Sequence, residues 1–131
     1  MFHYTKSIDI LYHIQYNVAN GETMTNESFE NVILELRRGV IVLAVLSRLD
    51  QEQYGYSLIK NLTDNGLEID QGTLYPLLRR LESQGLLQSN WRVESDRPRR
   101  YYVLSDEGRT LLPRLKEEWN SIVAMLAKML S

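Results

Sequence analysis

One stretch, Asp70–Gly85 (DQGTLYPLLRRLESQG), constrains the rest of the chain most. Leu74, Leu77, Leu78 and Leu81 recur at i, i+3, i+4 and i+7, the spacing that lines one face of a helix. The opposite face carries Thr73, Pro76, Arg79 and Arg80. Asp70 is placed to cap the N-terminus, and Gly85 to end the helix in a left-handed conformation. Pro76 lacks a backbone N–H. It forfeits nothing if the helix starts near Thr73 and one hydrogen bond if it starts at Gln71, so the expectation is a late start. A short helix with a leucine keel, a polar leading end and paired arginines suits insertion into a DNA major groove. It equally suits a surface helix with solvated arginines, and the chain on either side of it decides between the two.

Upstream, Tyr54-Gly55-Tyr56 opens a short helix over 56–62, with Leu58, Ile59 and Leu62 on one side and an Asn65-Gly66 turn after it. Two short helices joined by a tight turn make a helix-turn-helix, the second lying in the groove. Downstream the period changes from helix to strand. Leu87, Ser89, Trp91 and Val93 alternate, as do Arg100, Tyr102 and Leu104, with Tyr101 and Val103 on the other face. Between the runs, Glu94–Arg99 predicts a polar, proline-containing hairpin tip. Helix-turn-helix followed by a hairpin is a winged helix. Arg97, Arg99 and Arg100 cluster at the tip, where they can meet phosphates or pair with Glu94 and Asp96.

Thr25 to Leu49 reads as a helix capped by Thr25 or Asn26, with Phe29, Val32, Ile33 and Leu36 on one face. Val40–Leu46 (VIVLAVL) is apolar nearly all round and predicts a buried central helix; Gly39 predicts the close approach of another backbone. At the far end Ser105-Asp106-Glu107 caps the last helix, which Pro113 is expected to kink or restart. Beyond it Leu112, Leu115, Trp119, Ile122, Leu126 and Met129 recur at 3, 4, 3, 4, 3, an apolar seam of the kind that pairs helices. A dimer then offers two copies that read half-sites about one helical turn apart.

Residues 1–23 read weakly, as helix (Ile8, Leu11, Tyr12, Gln15) or as strand (Ile8, Ile10, Tyr12). Gly21-Glu22 before Met24 could be encoded by a sequence resembling a ribosome-binding site. The segment is therefore read either as an N-terminal extension, with an extra helix packing on the dimer, or as the product of a start codon assigned too early. The expected organisation is 1–23 as this extension, 24–104 as the winged helix-turn-helix domain and 105–131 as the dimerisation helix. The fold class is mainly α with a small β-hairpin.

Composition removes several functions. With no cysteine there is no disulfide framework or thiolate metal site, and a reducing cytoplasm is compatible. Both histidines, His3 and His13, precede the main body, which excludes a histidine-based metal or catalytic centre there. No serine-centred nucleophile motif or phosphate-cradling glycine loop occurs, so no enzyme, cofactor or metal is expected. No apolar run is long enough to span a membrane. The net charge is −2, so contact with nucleic acid must come from local basic patches; that same charge motivates the alternative of a winged-helix module that binds protein and ignores DNA.

The residues Tyr54-Gly55-Tyr56, GTLYPLLRRLE (72–82), Gly85-Leu86-Leu87, Arg97-Pro98-Arg99-Arg100-Tyr101-Tyr102 and Leu104-Ser105-Asp106-Glu107-Gly108 resemble the pattern of the PadR family of bacterial transcriptional regulators. The resemblance runs from about Leu34 to Met129, and GTLYPLLRRLE is its most specific part. Tyr54 stands where the family usually has a histidine, and residues 1–23 have no counterpart. The single C-terminal helix looks like the shorter subfamily. The resemblance implies a cytoplasmic, homodimeric winged-helix repressor that leaves double-stranded operator DNA when a small molecule or another signal arrives. Matched by position, Thr73, Tyr75, Pro76 and Arg79 look like recognition-helix contacts. Tyr56, Ser57 and Lys60 look like phosphate contacts, and Arg97 and Arg99 like wing contacts. Tyr75 also lies next to the keel and could belong to the core. Trp119 occupies the place where multidrug-sensing members stack a planar aromatic effector between subunits. Filling the dimer core, together with Leu115, Ile122, Leu126 and Met129, is the preferred reading of that residue.

Overall fold

Thr25 caps the first helix, α1 (Asn26–Ser47): its Oγ1 accepts from the Ser28 N–H at 3.1 Å. The structure, a computed structural model, describes residues 25–131. The expectations for residues 1–23 lie outside the described residues. The chain divides into two units, Met1–Ile41 and Val42–Ser131, and α1 runs through the boundary. Two expectations for α1 are corrected. VIVLAVL is not buried all round: Ile41, Val45, Leu46 and, just past the helix, Leu49 are buried, while Val40, Val42, Leu43 and Ala44 are half-exposed. Those buried positions form one stripe, which is all that packing from one side can cover. Gly39 is exposed, and among the described residues no atom lies within 4 Å of where a Cβ would stand, so no described segment of the chain passes against it.

The second unit continues with β1 (Gln53–Tyr54), α2 (Gly55–Asp64), α3 (Gln71–Ser83), β2 (Leu87–Glu94), β3 (Arg97–Leu104) and α4 (Asp106–Leu130). Its core is a leucine cluster. Leu58 and Leu62 of α2 meet Leu74, Leu77, Leu78 and Leu81 of α3, with Leu87, Tyr102 and Leu104 closing it from the sheet. The keel read from the sequence is thus buried throughout.

The sheet is antiparallel in the order β1-β3-β2. Its third strand is an addition to the expected hairpin: Gln53 pairs with Tyr102 and Tyr54 with Tyr101. Two residues carry too little pattern to be read as a strand. They nevertheless tie the start of α2 to the wing. The hairpin tip is also tighter than expected. The strands run to the pair Glu94↔Arg97, leaving a two-residue turn in which Ser95 (φ 49°) and Asp96 (φ 64°) are both left-handed. Pro98 lies inside β3 opposite Val93, where β1 no longer reaches and no second neighbour needs its missing N–H.

Both helix prolines are accommodated. α3 starts at Gln71, not late, so Pro76 forfeits one bond, to the carbonyl of the exposed Gly72. α4 runs unbroken through Pro113 and is not restarted; the freed carbonyl belongs to Arg109, which is exposed to water. Ser105 begins α4 by accepting from the Gly108 N–H at 3.0 Å while its hydroxyl donates to the Gly85 carbonyl at 2.6 Å. Among the described residues no helix is long and apolar enough to cross a membrane.

Candidate nucleic-acid interface

Asp70 holds the leading end of α3. Its Oδ1 accepts from the Thr73 N–H at 2.8 Å, and its backbone is extended just before the first helical residue. At the other end Gly85 takes φ 82°, with its N–H on the Glu82 carbonyl (2.9 Å) and the Leu86 N–H on the Leu81 carbonyl (3.0 Å). This is the six-to-one, five-to-two closure that a left-handed glycine permits. Between these ends the buried leucines set the roll of the helix. Thr73, Arg79 and Arg80 are therefore exposed and Pro76 half-exposed.

Tyr75 is turned partly inward. A Cβ on Gly55 would fall 2.2 Å from its Cε1, so the tyrosine ring fills the space beside the first residue of α2. Of the two roles read for Tyr75, this geometry places the ring between the two helices. On α2, Tyr56 is 62% exposed. Lys60 is exposed and among the described residues makes no ion pair. The Ser57 hydroxyl donates to the Tyr54 carbonyl at 2.9 Å, which leaves its lone pairs, not its proton, facing outward.

The wing arginines part company. Arg97, next to the turn, is exposed and has no carboxylate partner among the described residues. Arg99 is 3.6 Å from Glu94 and lies over the Tyr54 ring at 4.5 Å, a half-exposed and partly engaged cation. Arg100 does not join them at the tip. Alternation sends it to the opposite face of β3, where it pairs with Glu82 of α3 at 2.6 Å and donates to Ser89 at 3.0 Å. Ser89 in turn donates to Glu82 at 2.5 Å. This three-residue node fixes the wing against α3 and was not read from the sequence. Ser89 and Arg100 do fall on one face by alternation, but Glu82 becomes their partner only once the keel fixes the roll of α3.

The other face of the sheet is an aromatic and arginine layer. Tyr54 stacks with Tyr56 (centroids 6.4 Å apart, planes 19° apart) and tilts against Tyr101 (5.5 Å, 59°). Arg92 lies over Tyr101 at 4.5 Å and pairs with Glu52. The Tyr101 hydroxyl donates to Glu94 at 2.7 Å, and that bond, ahead of burial and the carboxylate charge, raises its pKa above 10.0. Tyr102, on the core side, is raised by burial first, with Arg100 pulling the other way. No cluster of metal ligands occurs among the described residues.

On α4, Leu115 is half-exposed and Trp119, Ile122, Leu126 and Met129 are exposed, all on the seam that the spacing marked out. Within Val42–Ser131 nothing buries them.

Residues 42–114 match the model of the transcriptional regulator PadR-like family. A transcriptional regulator of Mycobacterium tuberculosis, Rv3488, is 40% identical over 79 residues, covering 60% of this chain and 74% of that protein. The crystal structure of a PadR family transcriptional regulator from Eggerthella lenta superposes with a TM-score of 0.75 at 44% identity. It covers 81% of this chain and 95% of that one. A transcriptional regulator from Clostridium thermocellum gives 0.67 at 31% identity, over 74% and 99%. A family match over more than half the chain, on a winged-helix fold shared with solved members, carries one conclusion: the chain belongs to the PadR-like family of transcriptional regulators, not to a family of enzymes.

Proposed function

We propose that the protein is a sequence-specific, double-stranded-DNA-binding repressor that acts as a homodimer in the cytoplasm and leaves its operator on a small-molecule or other signal. The observation that carries this reading is the outward set of Thr73, Pro76 and Arg79 on a helix whose other side is locked into a leucine core. Hydroxyls and helix N-termini suit phosphate oxygens, and an arginine can fork onto guanine. Tyr56 and Lys60 on α2 and Arg97 and Arg99 on the wing flank that set and supply the phosphate contacts, while Ser57, its hydroxyl proton held by the Tyr54 carbonyl, contributes through its backbone N–H in the first turn of α2. Tyr75 serves mainly by spacing α2 from α3. Residues 24–104 form the DNA-binding part and 105–131 the dimerisation helix, through Leu115, Trp119, Ile122, Leu126 and Met129.

Trp119 fills the dimer core in this reading. The competing role, stacking on a planar aromatic effector, is tested by a flat dye: quenching of wild-type tryptophan emission that is lost, together with binding, in Trp119→Ala would assign the ligand role.

The deciding experiment is fluorescence anisotropy of a labelled duplex from upstream of the protein's own gene against a scrambled duplex, over a range of salt. Preference for the native duplex is expected, with log K falling against log salt at a slope of about −5 to −9, as six to ten neutralised phosphates require. Equal, weak and salt-insensitive binding to both would turn the reading toward a protein-binding module.

A further inference from the structure

Gly72 is a glycine that the fold itself does not require. It is helical, exposed and without a left-handed φ. A Cβ there would meet only Asp70 Oδ1 at 3.5 Å, an ordinary contact. Gly55 and Gly85 differ: a Cβ on the first would strike the Tyr75 ring, and the second takes φ 82°. At Gly72 an alanine would fit and would stabilise the helix, because the unfolded chain would then have less freedom to lose.

The roll of α3 shows where the missing side chain matters. With Leu74, Leu77, Leu78 and Leu81 buried, the line directly opposite them runs through Gly72, Pro76, Arg79 and Ser83, spaced 4, 3 and 4. Gly72 begins that line, and the N-terminal residues of a recognition helix are those that meet base edges. Pro76 follows it by one turn and denies the Gly72 carbonyl its i+4 donor. Two residues that weaken a helix thus stand together on the outward line at its leading end. Neither answers a need of the core, and both keep that end of the helix low: glycine has no side chain and proline a compact ring.

We infer that Gly72 is a specificity-determining residue: it lets a base-pair edge come against the backbone of α3 at a distance that a Cβ would forbid. The inference rests on the DNA-binding reading above and deepens it. Thr73 and Arg79 make the contacts, and Gly72 sets how far into the groove they reach. The helix gives up stability at this position in exchange for that approach.

The test uses the full chain, a duplex that the wild-type protein itself enriches from a random-sequence library, and a scrambled duplex beside it. Gly72→Ala is expected to melt a few degrees higher than the wild type. It should bind the enriched duplex about tenfold more weakly, the cost of one methyl group too many in a close-packed contact. Its affinity for the scrambled duplex and the salt slope of that binding should not change, because binding through phosphates needs no base contact and no charge is removed. A purely structural role for Gly72 would not raise the melting temperature while lowering selectivity. Wild-type affinity of Gly72→Ala for the enriched duplex would overturn the inference while leaving the DNA-binding reading standing, and so would an equal loss on both duplexes. Failure of the wild type to enrich any duplex would overturn both.

Discussion

Gly55 and Tyr75 occupy one space between them: a Cβ at Gly55 would stand 2.2 Å from Cε1 and 2.5 Å from Oη of Tyr75. The contact sets how closely α2 and α3 approach, and so where the recognition helix stands relative to Lys60 and Tyr56. Alanine at a first helical position should gain helix propensity, yet here it collides with a half-buried ring. Gly55→Ala is expected to lose about 1–3 kcal/mol. Much of that loss should return in Gly55→Ala with Tyr75→Ala. A double-mutant cycle by chemical denaturation measures the coupling, and additive single effects would refute the contact.

Arg97 and Arg100 lie three residues apart and should behave oppositely. Arg97 is exposed and without a carboxylate partner, so Arg97→Ala should leave stability within about 0.5 kcal/mol. It should weaken binding to all duplexes alike and reduce the salt slope by about 1. Arg100 joins Glu82 and Ser89, so Arg100→Ala should lower stability by about 1 kcal/mol, a modest figure because the pair is half-exposed. Thermal melts beside salt-titrated anisotropy separate the two; identical profiles would contradict both assignments.

Tyr102 supplies a pH dependence at the alkaline end. Burial raises its pKa above 10.0, so the folded state holds the proton more tightly than the unfolded chain does. The sign follows: this contribution to stability is complete below pH 10 and is lost as pH rises through the folded-state value. Tyr102→Phe should match the wild type near neutrality in its response to pH and fall less steeply above pH 10. Urea midpoints at neutral and strongly alkaline pH read the difference, and parallel losses would assign the alkaline sensitivity to the other tyrosines.

What was legible in the sequence is what repeats or caps. The period of Leu74, Leu77, Leu78 and Leu81 gave the keel, Asp70 and Gly85 its ends, and alternation across 87–104 the wing. What was not legible depends on partners far away in the chain. Gln53 and Tyr54 become a strand only because Tyr101 and Tyr102 lie alongside. The tip turn lacks the glycine that marks a two-residue hairpin, so Ser95 and Asp96 concealed it. Arg100 looked like a third tip cation until strand register sent it to Glu82, 18 residues earlier. The ring of apolar residues around Val40–Leu46 recorded hydrophobicity, not the number of sides from which one chain can cover it.

The seam on α4 tests the dimer. Trp119, Ile122, Leu126 and Met129 lie exposed along one face, with Met129 the barest of the four. Leu126 is far from the caps and from the leucine core of α2 and α3. An aspartate there should leave the winged helix folded while placing two carboxylates against each other across a two-fold seam. Leu126→Asp is expected to sediment at half the mass of the wild type with its far-ultraviolet spectrum retained. Its operator affinity should fall by about a hundredfold or more, because the second half-site no longer binds as part of one molecule. A wild type that sediments as a monomer would refute the dimer outright. A Leu126→Asp protein that stays dimeric would move the interface elsewhere, to the half-exposed side of α1 around Val42 and Leu43.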